Sequence, residues 1–327
     1  MILIQELISR RRNINFILAI SVVNKLTFLL ESYSMKKISV VTLVLVLMYP
    51  LAQAQIKAPS KENIERFLKS KTYVVLEDNP FSVFNDFVSN QMKTIWKITP
   101  FEIISSEEFE KKMGDEKSSF LFVSQAMFGS KKAVAAKTKD EEGNEDAFNY
   151  TIINLVMGDA SKNLNRMPDL CIVPVAYADV DEDTYEYKLA ALIEFMAYYI
   201  DYARANPGKD IQQVVKDNAS DLKNYELWFV ESDLATNVNT LAKIKQFYPY
   251  AVKIVTAEEI QKAIAEHNPK VAFLHKVGPE GTGSNGSSCW KFIMAAKDGK
   301  PLYFDNHQIG AGKGNAFLED DFKNIAK

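Results

Sequence analysis

Phe101-Glu102-Ile103-Ile104-Ser105-Ser106-Glu107-Glu108-Phe109 recurs later in the sequence as the close variant Ala251-Val252-Lys253-Ile254-Val255-Thr256-Ala257-Glu258-Glu259-Ile260. The fold prediction starts from this pair of segments. Each stretch is an apolar, β-rich run followed by Ser or Thr, with Glu three residues further on. That spacing is typical of a helix N-cap with a reciprocal capping box. Both stretches therefore predict a strand that leads directly into a helix, capped by Ser105 in one and Thr256 in the other.

The segments around this step also recur in the same order. Each strand-and-cap stretch is preceded by a short run ending in acidic residues and then by a helical stretch. These segments are residues 73–78 and 81–96 before the first stretch, and residues 227–233 and 234–247 before the second. The third runs, 120–123 and 271–274, are separated by the same 151 residues as the two caps. This agreement predicts two diverged copies of one module in tandem. The alternative is that any two βαβ units look alike.

Each copy ends with two alternating runs, which predict antiparallel strands. These runs are residues 150–157 and 170–177 in the first copy, and residues 290–296 and 302–306 in the second. The turn Lys297-Asp298-Gly299-Lys300 favours a hairpin in the second copy. We therefore predict an α/β (α+β) fold with two tandem modules, each a mixed sheet in the order β-α-β-α-β-β-β, joined by a long helix.

The connecting helix is predicted over residues 184–205, where Asn206-Pro207-Gly208 ends it, and a second helix over residues 210–222. Apolar and aromatic side chains cover much of the first helix, so we expect it to be buried between the modules. An exposed aromatic face would alternatively serve as an oligomer contact. The predicted parts of the mature chain are a first module over 55–183, connecting helices over 184–222 and a second module over 223–327. A C-terminal helix capped by Asn315 is expected to end the chain.

A secretory signal peptide is predicted over residues 35–54, because Met35-Lys36-Lys37 is a short basic head and 38–48 an uncharged apolar run. Small residues at Ala52 and Ala54 place cleavage before Gln55. No cysteine follows the run, so no lipid anchor is expected. Residues 1–34 are interpreted as an upstream mis-start, with an inner-membrane anchor as the alternative. The expected location is the periplasm or the medium, without stable membrane insertion.

The composition of the mature part is that of a globular protein with an acidic balance. The first 54 residues contain six of the 39 basic and two of the 42 acidic residues, which leaves 33 basic against 40 acidic. A net charge near minus seven disfavours nucleic acid and anionic lipid as partners. Cys171 and Cys289 are the two cysteines. They either form a bond in an oxidising compartment or are small buried residues.

The segments 73–78, 101–109 and 120–123, with their counterparts in the second copy, resemble modules of bacterial envelope proteins. The pattern is similar to the α/β domain of the curli-secretion lipoprotein family and to the amino-terminal domain of the Tol-Pal translocation protein. The resemblance implies an interaction or scaffold role in the envelope and supplies no catalytic residue. The missing lipidation cysteine departs from the curli-secretion family and puts membrane attachment in doubt.

One edge of the second module is the candidate ligand site. His275, Cys289 and His307 are predicted at strand ends that share this edge, with Asp305 nearby. Two imidazoles and a thiolate would suit zinc, but polar residues at strand ends often only face water. No catalytic residue, metal or cofactor is therefore assigned.

Two functions are carried forward from the sequence. The first is a non-enzymatic exported interaction or scaffold protein that binds an envelope protein or a small ligand at the junction between the modules. It is also a possible homo-oligomer. The alternative is a metal-binding protein or enzyme that uses the edge around Cys289.

Overall fold

Two mixed sheets of five strands each form the fold, which confirms the predicted α/β class. The structure is a computed structural model, and it describes residues 58–79, 81–127, 149–177, 180–279, 286–310 and 312–327. All of these residues belong to one compact unit. The predicted signal peptide, the residues before it and the charged stretch of sequence from 129 to 147 lie outside the described residues.

The first sheet has the strand order β2-β1-β3-β4-β5. Strands β1 and β2 are parallel, as are β1 and β3, whereas β4 and β5 continue the sheet antiparallel. The elements in chain order are α1 (Lys61–Phe67), β1 (Lys71–Val75), α2 (Val83–Ile95), β2 (Phe101–Ile104), α3 (Ser106–Lys112), β3 (Ser118–Met127), β4 (Asn149–Met157) and β5 (Asp169–Tyr177).

Three helices connect the sheets: α4 (Asp183–Glu186), α5 (Leu189–Ala205) and α6 (Ile211–Asn218). The predicted helix over 184–205 is therefore interrupted at residues 187–188. Lys188 at this break is almost fully buried. The predicted helix over 210–222 continues as a 3-10 turn, Ala219–Asn224, after α6 ends. Its N-cap is Asp210, whose side chain accepts a hydrogen bond from the Gln213 amide.

The second sheet has the equivalent order β7-β6-β8-β9-β10, with the same strand directions. Its elements are β6 (Glu226–Phe229), α7 (Leu241–Ile244), β7 (Val252–Ile254), α8 (Ala257–Ala265), β8 (Val271–Val277), β9 (Ser288–Ala295), β10 (Pro301–Gln308) and α9 (Glu319–Ile325). The duplication of an ancestral module stays a prediction, but two sheets of one topology are what it would produce.

Strands β1 and β6 each lie between two parallel neighbours, and one residue of each pairs with both neighbours. These residues give a direct comparison of register. The paired sets are Thr72 with Phe101 and Ser119, and Leu227 with Val252 and Ala272. The second strands are offset by 252 minus 101, or 151 residues, as the caps predict. The third strands are offset by 272 minus 119, or 153, so the predicted offset of 151 is wrong for them by two residues. A difference of two residues leaves every side chain on the same face of its sheet.

Both predicted capping boxes are confirmed. The Ser105 hydroxyl accepts from the Glu108 amide and the Glu108 carboxylate accepts from the Ser105 amide, and Thr256 and Glu259 make the same pair. Each box satisfies amide groups that the first helical turn leaves without partners. The two helices therefore start where the sequence predicts.

Two helix predictions in the second module are wrong. Residues 234–247 form only the single turn α7, because residues 235–240 contain Thr and Asn, which compete with helical hydrogen bonding through their side chains. The C-terminal helix begins after Leu318 rather than after Asn315, whose amide donates to the Pro279 carbonyl at 2.6 Å. At the true start, the Asp321 carboxylate accepts from the Leu318 amide.

Helix α5 lies between the two sheets, as expected from its apolar circumference. It packs against β5 and α2 on one side and against α8 on the other. Phe195 of α5 lies edge-on to Phe292 of β9, with ring centroids 5.8 Å apart, and Tyr199 is fully buried. These aromatic residues are used inside the chain, so they do not offer the oligomer contact considered above. Whether the chain forms homo-oligomers stays a prediction.

Direct polar contacts also join the sheets. The Tyr150 hydroxyl of β4 donates to the Ser288 carbonyl at 2.7 Å, and the Ser288 amide donates back at 2.8 Å. Cys171 and Cys289 are both buried and free, so the disulfide alternative is not realised. Of the helices that the structure describes, none is long and apolar enough to cross a bilayer.

Candidate functional site

The four predicted site residues do not share one face of the second sheet. Strand pairing sets His307 opposite Cys289 and Asp305 opposite Lys291, so these side chains lie on one face. His275 instead pairs with Phe292, and their rings lie 6.0 Å apart on the other face. Side chains alternate along a strand, and this alternation separates His275 from the other three residues. The expectation that all four meet at one edge is therefore wrong for His275.

Cys289 is not placed to act as a nucleophile or metal ligand. Its side chain is fully buried, and burial raises the pKa of the thiol to about 12. The thiol is therefore protonated at neutral pH, whereas the thiolate is the reactive form. Its cross-strand neighbour His307 donates from Nε2 to the Gly314 carbonyl at 2.9 Å. His307 Nδ1 lies 3.8 Å from an Asp305 carboxylate oxygen, which is too far for a hydrogen bond.

A buried lysine occupies the centre of this face. Lys291 is 1% exposed, and its ammonium contacts the Asp321 carboxylate at 2.6 Å and that of Asp305 at 2.7 Å. The Tyr303 hydroxyl also donates to Asp321. Burial alone would raise the pKa of Asp305, but His307 and Lys291 outweigh it and hold this pKa well below its ordinary value.

The Lys291–Asp321 pair holds helix α9 against the sheet, whereas Asp305 belongs to the neighbouring strand β10. The ammonium stands where a metal cation would have to bind, and like charges repel. Within the described residues, no group of three or more His, Cys, Asp or Glu side chains is arranged to hold a metal ion. The geometry of this face is that of a structural ion-pair network.

His275 has a structural contact of its own. It is 1% exposed, and its Nε2–H donates to the Pro174 carbonyl of β5 at 2.8 Å. Pro174 lies on the outer strand of the first sheet, so this bond joins the two sheets. Burial lowers the pKa of His275 to about 3, helped by the charge of Lys188. The ring is therefore neutral, and its Nδ1 is buried without a hydrogen-bond partner.

A cavity in the first module is the feature that sequence reasoning missed. It has a volume of about 240 Å³ and lies at the carboxyl ends of β1 and β3, beneath α2 and the start of the connecting helices. In open α/β sheets, ligands bind outside the carboxyl ends of the strands. The lining residues are Glu77, Phe84, Val123, Gln125, Thr151, Val175, Tyr177, Val180, Glu182, Tyr185 and Leu189.

The N-terminus of α2 positions Glu77. The Ser82 hydroxyl, which caps α2, donates to the Glu77 carboxylate. Asn85 in the first turn accepts from the Glu77 amide at 2.9 Å and donates to its carbonyl at 2.9 Å. Glu77 is therefore fixed at both its backbone and its side chain, directly after β1. The acidic end of the leading run was visible in the sequence, but its enclosure was not.

A second carboxylate reaches the cavity from the connecting segment. Glu182 immediately precedes α4, and Tyr185 of α4 lies beside it in the lining. Burial raises the pKa of Glu77, the Ser82 hydrogen bond opposes this rise, and the Glu182 charge adds to it. Burial and the same two carboxylates raise the pKa of Tyr185. The two acids therefore lie close enough to repel each other.

Neither carboxylate has a basic partner within the described residues, where no lysine, arginine or histidine forms an ion pair with Glu77 or Glu182. Five apolar residues also line the cavity, namely Phe84, Val123, Val175, Val180 and Leu189. Burial disfavours the charged form of Glu77, and the Ser82 hydroxyl is a neutral donor that does not cancel its charge. The arrangement is suited to bind a ligand that carries positive charge or hydrogen-bond donors.

The chemistry of the cavity is inferred from its lining residues alone. Comparison of the chain with protein-family models, with curated proteins and with solved structures gives no match in any of the three.

Proposed function

We propose that the chain is an exported, non-enzymatic interaction protein of the cell envelope that binds a small ligand, or a side chain of a partner, in the cavity of the first module. The observation that carries this proposal is the cavity itself. Its eleven lining residues include two carboxylates and two tyrosines beside five apolar side chains, so it offers a ligand both polar and apolar contacts. At about 240 Å³ it is slightly below the range of pockets for drug-sized ligands, roughly 300–1,000 Å³.

Export is supported by the sequence pattern of residues 35–54 and by the resemblance to envelope modules. The test is amino-terminal sequencing of the protein recovered from the periplasm and the medium. A mature chain that begins at Gln55 is expected. Recovery of the whole chain from the cytoplasm, with its amino terminus intact, would contradict export.

Binding is tested by filling the cavity. Gln125 lines it and is exposed, so Gln125→Trp places a large ring at the opening with little effect on the core. Gln91, exposed on α2 and outside the lining, provides the matched control Gln91→Trp. Each purified protein is dialysed against a small-molecule extract of the envelope fraction, and enriched compounds are identified by mass spectrometry.

The wild type and Gln91→Trp should both enrich a compound that Gln125→Trp does not. Equal enrichment by all three proteins would place binding elsewhere and contradict the proposal. No observation favours the enzyme or metal-binding alternative to the same degree, because the Cys289 thiol is buried and Lys291 occupies the centre of that face.

A further inference from the structure

The second module contains, within its own chain, the charge pair that the cavity of the first module lacks. Asp233 lies four residues after the end of β6, and Glu77 lies two residues after the end of β1. They are not equivalent by strand register, but each is an acid beyond the first strand of its module, and the Asp233 side chain is largely buried. The Lys276 ammonium lies 3.5 Å from the Asp233 carboxylate, and that of Lys188 lies 4.0 Å away. The acid at the carboxyl end of the second module's first strand is therefore neutralised by lysines of the same chain.

Lys276 and Val123 occupy the same place in their sheets. Ser119 and Ala272 are equivalent by strand pairing, and each residue lies four positions further along the third strand. Val123 lines the cavity, where its short side chain carries no charge. The first module therefore has a valine where the second has a lysine stem and ammonium, and the space beside Val123 is open.

The other lining residues of the cavity also suit an alkyl ammonium group. Two apolar residues, Phe84 and Leu189, line the cavity from helices α2 and α5, while Tyr177 and Tyr185 contribute aromatic rings. Aromatic rings attract cations through the negative charge of their faces, and the apolar walls can pack against an aliphatic stem. The carboxylates and the tyrosines suit the ammonium end of the ligand, and Phe84 and Leu189 suit its aliphatic stem.

We propose that the cavity of the first module binds a primary ammonium group on an aliphatic stem, held between the carboxylates of Glu77 and Glu182, where the second module uses its own Lys276. The inference rests on the proposed function, because it names the ligand class for the same cavity. The ammonium group belongs either to a free amine or to a lysine side chain of a bound peptide. Both sources share the chemistry that the cavity recognises.

The experiment is calorimetric titration of the mature chain with two matched pairs of probes at neutral pH. The pairs are n-pentylamine with 1-pentanol, and lysine blocked at both its α-amino and carboxyl groups with norleucine blocked in the same way. Within each pair the stem is similar and only the charge differs. Tighter binding of n-pentylamine than of blocked lysine identifies a free amine as the source of the ammonium group. Tighter binding of blocked lysine than of n-pentylamine identifies a lysine side chain of a peptide.

Glu182→Gln removes one carboxylate and keeps the size of the side chain. It should weaken binding of the amine about tenfold or more, the usual effect of losing a charge-assisted hydrogen bond, without changing the binding of 1-pentanol. Glu186→Gln is the matched control, because Glu186 is exposed at the end of α4, four residues after Glu182, and does not line the cavity. It should leave both probes unaffected, which separates direct contact from the general acidity of the segment.

A second variant transfers the lysine of the second module to the first. Val123→Lys should place an ammonium in the cavity, abolish amine binding and raise the melting temperature. Val123→Met, with a long side chain but no charge, should not raise the melting temperature in the same way. Because the readout of Val123→Lys includes stability, a loss of binding through misfolding is distinguished from occupation of the site.

The outcomes separate the ligand class from the site. If 1-pentanol binds as tightly as the amine and Gln125→Trp abolishes both, the cavity binds ligands but the ammonium assignment is wrong. If amine binding survives in both Glu182→Gln and Gln125→Trp, the cavity is not the site. Absence of amine binding by the wild type also overturns the inference. In that case the proposed function is still tested separately, by the enrichment experiment with Gln125→Trp.

Discussion

Acidification should destabilise this protein through His275, the histidine that joins the two sheets. The ring is 1% exposed and is neutral in the fold, where its Nε2–H donates to the Pro174 carbonyl. Burial lowers its pKa from 6.5 to about 3. Protonation in the folded state would place a charge in the core, near the ammonium of Lys188. The unfolded chain, in contrast, takes up the proton at its ordinary pKa.

The magnitude follows from the difference between the two pKa values. Above pH 6.5 the ring is neutral in both states and its stability contribution is fully present. As the pH falls from 6.5 towards 3, the unfolded state binds the proton first and stability is lost. A difference of roughly 3.5 units corresponds to about 5 kcal/mol in total, of which about 2 kcal/mol is already lost at pH 5. Such losses are large beside a typical stability of roughly 5–15 kcal/mol.

The assay is urea denaturation of the wild type and His275→Gln at a series of pH values between 4 and 8. Glutamine cannot be protonated in this range, and its amide can still donate to the Pro174 carbonyl. Other groups titrate in the same window. Glu194, for example, has a pKa raised to about 7 by burial and therefore acts in the opposite direction. Only the difference between the two proteins isolates His275.

The stability of the wild type relative to His275→Gln should decrease as the pH is lowered, by about 2 kcal/mol between pH 8 and pH 5. A difference that stays constant over this range would show that the ring titrates alike in the folded and unfolded states. That result would refute the conclusion that burial keeps His275 neutral, whatever the absolute stability of the variant.

Three further substitutions test other buried contacts. Glu194→Gln should stabilise the protein at pH 8 by up to about 3 kcal/mol and have little effect near pH 4. The reason is that burial raises the pKa of Glu194 to about 7, so the folded state loses stability as the pH rises from 4.5 to 7. Urea denaturation at the two pH values measures this effect, and equal effects at both would contradict it. Lys291→Met should lower the free energy of unfolding by about 3–5 kcal/mol, since it leaves the buried Asp321 carboxylate without a cation. Lys253→Met, at an exposed ion pair, should lower it by less than about 1 kcal/mol. Similar losses for both variants in urea denaturation would argue against a buried ion-pair network. Gly299→Ala should lower the melting temperature far more than Gly312→Ala, because both residues have positive φ but only at position 299 would the new Cβ lie 2.3 Å from the Phe195 amide nitrogen.

Local chemistry in the sequence determined where many elements begin and end. Ser105 with Glu108, and Thr256 with Glu259, specify helix starts through hydrogen bonds within one turn. The Asp298-Gly299 turn likewise follows from the positive φ that glycine accepts. These features depend on neighbours within a few residues, so they can be predicted without knowledge of the rest of the chain. The repeated order of such features was enough to predict two mixed sheets.

The candidate site depended on contacts between residues far apart in the chain. The sequence placed His275, Cys289 and His307 near one edge, but the register of β8, β9 and β10 assigns His275 to the opposite face. The two-residue difference between the third strands of the modules is likewise absent from local patterns. Strand pairing was therefore needed to show that Val123 of β3 and Lys276 of β8 occupy equivalent positions in the two sheets.

Sequence alone thus determined the fold class, the capped helices and the hairpin turn, because short-range hydrogen bonding and side-chain periodicity control them. Which polar residues are enclosed, which are paired and where a cavity remains became visible in the three-dimensional packing. The difference between Glu77 and Asp233 illustrates this, since both are acidic residues after a first strand and only Asp233 has lysines beside it. The physical reason is that burial and charge pairing depend on residues brought together across the sheets by packing, and the local sequence does not specify that proximity.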